Sequence, residues 1–254
     1  MPNRIETDQM QIEYTESWIA RPVLWESHCH SRYEMIAVLE GDISVMMEGK
    51  NHRLTENQAV IVPPLYYHTI TANEKGKYRR VTALFDGSAI PHVLQARFLE
   101  RDAALTTFPY TRIEELKRLC TESDRDFYLP LAEAMMVEIL YAGLQAADNE
   151  EAEQDDPFLR QVISYIDEHL CEKILLEDLA LHTARSKSSF CHLFQMKMNI
   201  SPKQYILQKK MALANKLIHD GTPPTAASLQ IGYENYSNFY RLYSKLYGEN
   251  PRKK

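Results

Sequence analysis

Apolar residues recur at helical spacing in the last third of the chain, beginning in the segment 175–202. After Ser186, a residue type favoured as a helix N-cap, Phe190, Leu193 and Phe194 follow at i, i+3 and i+4 spacing. This spacing places the three apolar side chains on one face of a helix and leaves polar residues on the other face. A shorter apolar pattern precedes Ser186, so the segment predicts a helix, a tight turn and a second helix.

The same arrangement is repeated in the segment 225–251, where Gly232 lies between two helical patterns. The second of these patterns has an apolar stripe made of Phe239, Leu242, Tyr243 and Leu246. The chain therefore predicts two helix-turn-helix units in tandem. Such units are typical of DNA binding, although an all-helical domain that binds another protein is the alternative.

A single long helix is predicted between the two units. Ser201 is a suitable N-cap, Pro202 fits the first helical position, and Gly221 is a stop signal. Its roughly twenty residues would span about 30 Å. Successive major grooves on one face of B-DNA lie about 34 Å apart, so this spacer would let one chain read two half-sites.

The outward faces of the two second helices carry the candidate contacts to double-stranded DNA. Arg241 is suited to a bidentate contact with guanine, but the residues leave open a phosphate contact or an internal salt bridge. Lys187, Lys197, Lys245 and Arg252 are candidates for phosphate contacts. The predicted DNA-binding residues are Lys187, Ser188, Cys191, His192, Tyr236, Ser237, Tyr240 and Arg241.

These motifs resemble those of the AraC/XylS family of transcriptional regulators. The first unit is similar in Leu179-Ala180, Ser186, Leu193-Phe194 and Ser201-Pro202. The second is similar in Gly232, Tyr233, Phe239, Arg241, Tyr243, Lys245, Gly248 and Pro251. The resemblance implies a sequence-specific DNA-binding regulator that is not an enzyme and that contacts RNA polymerase if it is an activator.

The distribution of charge agrees with this prediction. The whole chain has a net charge of −6, but residues 155–254 contain 14 Lys and Arg against 10 Asp and Glu, which gives +4. The first 154 residues contain 15 against 25, which gives −10. The basic excess thus coincides with the helix-turn-helix units, where it favours contact with phosphates.

The acidic run 148–157 contains few apolar residues and predicts a solvated linker between two domains. We expect residues 1–150 to form an effector-binding and dimerisation domain, and residues 158–254 to form the DNA-binding domain. In the first domain, strand-length apolar runs at 43–48, 51–54, 59–63 and 68–72 are separated by turn residues. The expected fold class is α+β, with a barrel or jelly roll over about 15–90 and helices over about 110–147.

The stretch from His28 to Gly41 resembles the first cupin motif, H-x-H-x-x-x-E-x-x-x-x-x-x-G. Pro63 and His68 resemble part of the second motif, with Leu65 where that motif has glycine. Strand alternation would bring His28, His30, Glu34 and His68 to one interior face, where they are candidate ligands of a divalent Zn, Fe, Mn or Ni ion. The same residues with Tyr66 are the candidate effector pocket: His28, His30, Glu34, Tyr66 and His68.

Three interpretations of this cluster remain open at this point: a metal site, a metal-free pocket for a polar effector such as a sugar, and a purely structural cluster. A metal-dependent cupin enzyme would need a further base or substrate clamp, and no residue pattern indicates one. Another alternative is an effector-independent regulator whose barrel only forms dimers.

The helical pattern 129–147 has a wide apolar stripe, and in AraC-like proteins such helices commonly form homodimers. Packing against the helix's own domain is the alternative. We expect no membrane segment, because we find no apolar run of about 18 residues, and the polar first ten residues do not resemble a signal peptide. Four cysteines without C-x-x-C spacing indicate reduced thiols, and the expected location is the cytoplasm.

Overall fold

The computed structural model describes residues 3–25, 27–100, 107–122, 124–147 and 156–252. These residues form two compact domains, one built mainly from residues before 148 and the other mainly from residues after 155. The mixed α+β class predicted from the sequence is confirmed, with antiparallel sheets in the first domain and helices in the second. Most of the predicted linker, residues 148–155, lies outside the described residues.

The N-terminal domain contains two antiparallel sheets. The six-stranded sheet has the order β1-β2-β9-β4-β7-β10, with β1 Arg4–Glu6, β2 Met10–Ile19, β4 Tyr33–Glu40, β7 Gln58–Val62, β9 Gly76–Phe85 and β10 Phe108–Pro109. The four-stranded sheet has the order β3-β8-β5-β6, with β3 Val23–Leu24, β5 Ile43–Met47, β6 Lys50–Leu54 and β8 His68–Ala72. All four predicted strand runs are present.

Two strands begin before residue 15, where the predicted barrel starts. In β2, buried side chains alternate with more exposed ones from Met10 to Tyr14, which is the period of a strand with one covered face. This short alternation was present in the sequence as a strand signal that the prediction missed.

Helices cover the outer face of the six-stranded sheet. They are α1 His92–Glu100, α2 Ile113–Thr121 and α3 Arg125–Ala147. On β4, Met35 and Ala37 belong to the same buried cluster as Leu116 of α2 and Ile139 of α3. Because side chains alternate along a strand, the even-numbered residues of β4, including Glu34, lie on the opposite, inner face of the sheet.

The expectation that no apolar run approaches membrane length is wrong for α3. Its segment Phe127–Ala146 is long and apolar enough to span a membrane by length and composition. However, Met135, Ile139 and Leu144 of α3 are buried against the sheet of the N-terminal domain. The apolar character of α3 is therefore partly explained by packing within its own domain.

The C-terminal domain is helical, as predicted. Its helices are α4 Pro157–Glu168, α5 Leu176–His182, α6 Lys187–Met198, α7 Pro202–His219, α8 Pro224–Gln230 and α9 Tyr236–Tyr247. Helices α5 and α6 form the first helix-turn-helix unit, and α8 and α9 form the second. Phe190 and Phe194 are fully buried in the first unit, as is Phe239 in the second.

A buried lysine of α7 connects the two helix-turn-helix units. Lys210 is 6% exposed, and its Nζ donates hydrogen bonds to the carbonyl oxygens of Glu172, at 2.6 Å, and Ile231, at 2.7 Å. Glu172 lies in the loop that leads into the first unit, whereas Ile231 is the C-cap of α8. Burial lowers the pKa of Lys210 from its ordinary value. The two carbonyls partly offset the cost of burying this charge.

Gly232 allows the backbones of the same two segments to come close. Its φ is +80°, a conformation that glycine adopts easily after a helix end. A Cβ atom at this position would lie 3.1 Å from the carbonyl oxygen of Cys171 and 3.3 Å from that of Glu172. Lys210 and Gly232 therefore belong to one junction, which fixes the turn of the second unit against the loop before the first.

This junction generates a prediction for Lys210→Met. The substitution keeps an unbranched side chain but removes the donor, which leaves two carbonyls unsatisfied at a cost of about 1–3 kcal/mol. Hydrogen exchange at the amides of α8 and α9 should accelerate accordingly, by about 5- to 150-fold. Lys203→Met, at an exposed position of the same helix, is the matched control and should change exchange little. Equal exchange in both variants would show that the Lys210 bonds contribute nothing to the junction.

Candidate functional site

The first candidate recognition helix, α6, begins at a well-formed cap. Ser186 is extended, and its Oγ accepts a hydrogen bond from the backbone N–H of Ser189 at 3.2 Å. Ser188 and His192 are exposed on this helix, whereas Cys191 is partly buried. Of the residues predicted here, Ser188 and His192 are thus the more accessible to a partner.

The second candidate recognition helix, α9, is capped by Asn235, whose Oδ1 accepts a hydrogen bond from the N–H of Asn238 at 2.9 Å. Ser237 and Arg241 are exposed, and Tyr240 is 38% exposed. The exposed faces of α6 and α9 therefore each present a group of polar side chains, as the apolar spacing predicts.

Tyr236 of α9 is less accessible than predicted, and Asn238 is an exposed residue that the prediction did not include. Tyr236 is partly buried, and its ring centroid lies 5.8 Å from that of Phe239. Asn238 is exposed and accepts a hydrogen bond from Nη2 of Arg241 at 3.1 Å. Sequence reasoning missed Asn238, although its position between Ser237 and Phe239 in the first turn indicated that it faces outward.

The four predicted phosphate-contacting residues have different surroundings. Lys187 Nζ lies 2.7 Å from Glu177 Oε1, and this hydrogen bond raises the pKa of Lys187. Lys197 forms an ion pair with Asp156, the N-cap of α4. Lys245 and Arg252 are exposed. To contact DNA phosphates, Lys187 and Lys197 would have to keep these carboxylate partners as well or release them.

In the N-terminal domain, the two strand-borne residues of the cupin-like motifs are in direct contact. Glu34 is on β4 of the six-stranded sheet, and His68 begins β8 of the four-stranded sheet. His68 is fully buried and Glu34 is 8% exposed. His68 Nε2 lies 2.9 Å from Glu34 Oε2, so each group satisfies the other.

His28 and His30 complete the predicted set. Their ring centroids are 5.5 Å apart, and one ligand atom from each of His28, His30, Glu34 and His68 lies within 4.8 Å of the others. Imidazole nitrogens and a carboxylate oxygen are ligand types that bind divalent transition metals.

Leu65 connects the two cupin-like motifs through its backbone. Its N–H donates a hydrogen bond to the carbonyl of His30 at 2.8 Å. It has a φ of +66°, the left-handed conformation that glycine would adopt without cost. The structure thus keeps the backbone shape expected for glycine at this position. The neighbouring Tyr66, a predicted pocket residue, is partly buried.

Comparisons with known proteins agree with both halves of the chain. Residues 179–254 match a family described as a helix-turn-helix domain, and residues 24–84 match a family described as a cupin domain. Several named transcriptional regulators are similar to the chain.

The probable transcriptional regulator LumQ of Photobacterium leiognathi is 35% identical over 35% of this chain and 36% of LumQ, so the chain spans about a third of that relative. The HTH-type transcriptional regulator YobQ of Bacillus subtilis is 22% identical over 90% of this chain and 88% of YobQ. The melibiose operon regulatory protein of Escherichia coli (strain K12) is 21% identical over 97% of this chain and 87% of its own length.

The relatives that match this chain are named as regulators of transcription, which implies a DNA-binding rather than an enzymatic role. The helix-turn-helix match covers both α6 and α9, and the cupin match covers Glu34 and His68. The chain therefore combines a cupin domain with an AraC-type helix-turn-helix domain, and the proteins it resembles are AraC-family transcriptional regulators.

Proposed function

We propose that this protein is a sequence-specific transcriptional regulator that binds double-stranded DNA through α6 and α9 and a small polar effector through its cupin domain. The observation that carries the proposal is the pair of capped helices, each with an exposed polar face, connected by α7. At 1.5 Å per residue, the 18 residues of α7 span about 27 Å. This length is close to the distance of about 34 Å between successive major grooves.

Residues of both recognition helices would contact bases, and four basic residues would contact phosphates. The exposed side chains that would approach base edges are Ser188 and His192 on α6 and Ser237, Tyr240 and Arg241 on α9. The hydrogen bond that Arg241 Nη2 donates to Asn238 Oδ1 orients the guanidinium, which favours a bidentate contact with guanine. Lys187, Lys197, Lys245 and Arg252 would contribute phosphate contacts that do not depend on sequence.

The effector would bind around the Glu34–His68 pair, with His28, His30 and Tyr66 as further contacts. The pair lies on strands of both sheets, and its carboxylate and imidazole can pair with hydroxyl groups of a polar ligand. The name of the melibiose operon regulatory protein refers to a sugar, which supports a polar effector of this kind. Effector binding would change how the helix-turn-helix units occupy DNA.

A divalent metal is the second candidate for the same pocket, because four ligand atoms already lie within 4.8 Å of one another. His28, His30, Glu34 and His68 would hold the ion. The metal would fix the positions of these side chains or bind a polar group of the effector directly. No catalytic role needs to be assigned to such an ion in a regulator.

We further propose that two copies of the chain associate through α3, and that the protein acts in the cytoplasm, where it would contact RNA polymerase if it is an activator. Four large apolar side chains are exposed on α3: Phe127 at 72%, Leu131 at 37%, Val137 at 37% and Tyr141 at 52%. Phe127, Leu131 and Tyr141 are separated by four and ten residues, which places them on one side of the helix. A second copy of the same stripe would cover these side chains in a self-complementary interface.

Selection of bound duplexes from a random DNA library tests the main proposal. The wild type should recover a bipartite motif with half-sites about one helical turn apart. Arg241→Ala should relax the preference at one base position, because the variant loses the guanidinium that would contact that base. The binding free energy should weaken by about 1–3 kcal/mol. Arg53→Ala, which removes an equal charge from the N-terminal domain, should leave the motif unchanged. Failure of folded wild type to enrich any motif would reject the regulator.

Metal analysis of protein purified without a His-tag tests the second candidate. The wild type should retain about one divalent ion per chain, and Glu34→Gln should retain much less, because an amide is a poor replacement for a charged ligand. Glu40→Gln, on the same strand, is the matched control and should retain the ion. Substoichiometric metal in the wild type would instead favour a metal-free effector pocket.

Sedimentation at micromolar concentration tests association through α3. The wild type should sediment as a dimer, and Tyr141→Glu should shift it toward the monomer, because a buried unpaired carboxylate opposes association. Leu229→Glu, at a 62% exposed position of α8, should remain dimeric. A wild type that is monomeric with and without DNA would contradict this interface.

A further inference from the structure

A cationic side chain lies on the inner face of the six-stranded sheet. Arg80 of β9 is opposite Val38 of β4 in the strand register, and directly opposed residues point to the same face of a sheet. Its neighbours Arg79 and Val81 point to the outer face, where Arg79 forms an ion pair with Glu114 of α2. Arg80 therefore lies on the same inner face as Glu34 and Val38.

Two polar atoms of the partly buried Arg80 side chain are buried without a hydrogen-bond partner in the part of the chain that the structure describes. Among the described residues, neither Nε nor Nη1 of Arg80 has a hydrogen-bond partner, although both atoms are buried. A buried guanidinium is normally paired with an acid or hydrogen-bonded, because its desolvation is otherwise costly.

Two aromatic rings surround this guanidinium. The Cζ atom of Arg80 lies 5.7 Å from the ring centroid of Trp25 and 5.6 Å from that of Tyr78. The two rings are 5.4 Å apart. Trp25 directly follows β3. Its backbone N–H donates a hydrogen bond to the carbonyl oxygen of Ile70 on β8, so Trp25 extends the four-stranded sheet. The cluster thus joins the two sheets of the domain.

The charged groups that face Tyr78 have opposite signs. Burial raises the pKa of the Tyr78 hydroxyl, the Arg80 charge lowers it, and the Glu34 carboxylate raises it. Arg80 and Glu34 are therefore both close enough to Tyr78 to affect its ionisation. A ligand beside Tyr78 would meet a cation at one end and the Glu34–His68 pair at the other.

We propose that Arg80, with Trp25 and Tyr78, binds the carboxylate of the effector, which is therefore a small organic acid rather than a neutral sugar. A carboxylate would supply the missing negative charge and an acceptor for an unpartnered donor of the guanidinium. The hydroxyl groups of a neutral sugar can accept hydrogen bonds, but they leave the buried charge uncompensated. The inference rests on the proposed function, since it names the effector class of the cupin pocket.

The acidic surroundings favour a single negative charge on the ligand. A phosphate monoester carries close to two charges at neutral pH and would experience stronger repulsion from Glu34. The aromatic rings of Trp25 and Tyr78 also provide apolar surface for the carbon chain of an organic acid. A carboxylate is thus preferred over both a neutral polar group and a phosphate.

Saturation-transfer NMR on the full-length protein with three small probes, acetate, acetamide and methyl phosphate, tests this assignment at equal ionic strength. Each probe has a methyl signal, and acetate and acetamide have nearly the same shape. With the wild type, the saturation-transfer signal of the acetate methyl group should be at least fivefold larger than that of acetamide or methyl phosphate. Arg80→Met should reduce the acetate signal to the level of acetamide.

Arg53→Met provides the control, because Arg53 is exposed and its guanidinium is already paired with Asp42. This variant should saturate acetate as the wild type does. If Arg80→Met does not melt cooperatively, Arg80→Gln replaces it with the same expected loss. The assignment is overturned if acetate is not saturated, if acetamide or methyl phosphate is saturated equally, or if Arg80→Met retains the acetate signal.

Failure of the carboxylate site can be distinguished from failure of the proposed DNA-binding function. DNA selection with Arg80→Met should recover the wild-type motif, because the substitution lies outside the helix-turn-helix units. Loss of acetate binding with DNA binding intact supports the carboxylate site. Acetate binding in a wild type that enriches no DNA motif would leave the carboxylate site supported and the regulator rejected.

Discussion

The structure depends on how its buried charged side chains are accommodated. In the C-terminal domain, Lys210 places an ammonium group where little solvent can reach it, and two carbonyl oxygens from separate segments accept its hydrogen bonds. These bonds hold the end of α8 to the loop before α5, so they also fix one helix-turn-helix unit relative to the other. The proposed reading of two grooves would need this rigidity, because a flexible connection would lose entropy on binding DNA.

The inner face of the cupin domain shows two different solutions to the same constraint. Glu34 and His68 are hydrogen-bonded to each other at 2.9 Å, so each of these buried groups has a partner within the protein. Arg80 has aromatic rings around it but no acceptor for Nε or Nη1 among the described residues. An uncompensated charge is tolerated in a folded protein when a ligand supplies the partner. The Glu34–His68 pair thus needs no ligand as a partner, whereas the proposed Arg80 site would gain its partner when the ligand binds.

Much of this architecture could be predicted from the sequence, because its signals are local. The caps at Ser186 and Ser201 and the turn at Gly232 fix helix ends within a few residues, and the structure has them where the spacing indicates. The four histidine and glutamate positions of the cupin motifs are likewise brought together. The pairing of Lys210 with two carbonyls could not be predicted, since Glu172 and Ile231 are 38 and 21 residues away in the chain.

Arg80 was missed for a related reason. The sequence Arg79-Arg80 looks like an ordinary basic surface, and the strand that contains it was not predicted. Once β9 is known to lie in the middle of a sheet covered by helices on one face, two adjacent arginines must point to opposite sides. One of them then enters the interior. A pair of adjacent charged residues in a central strand therefore indicates a buried ionic site. This indication can be recognised only when the strand order is known.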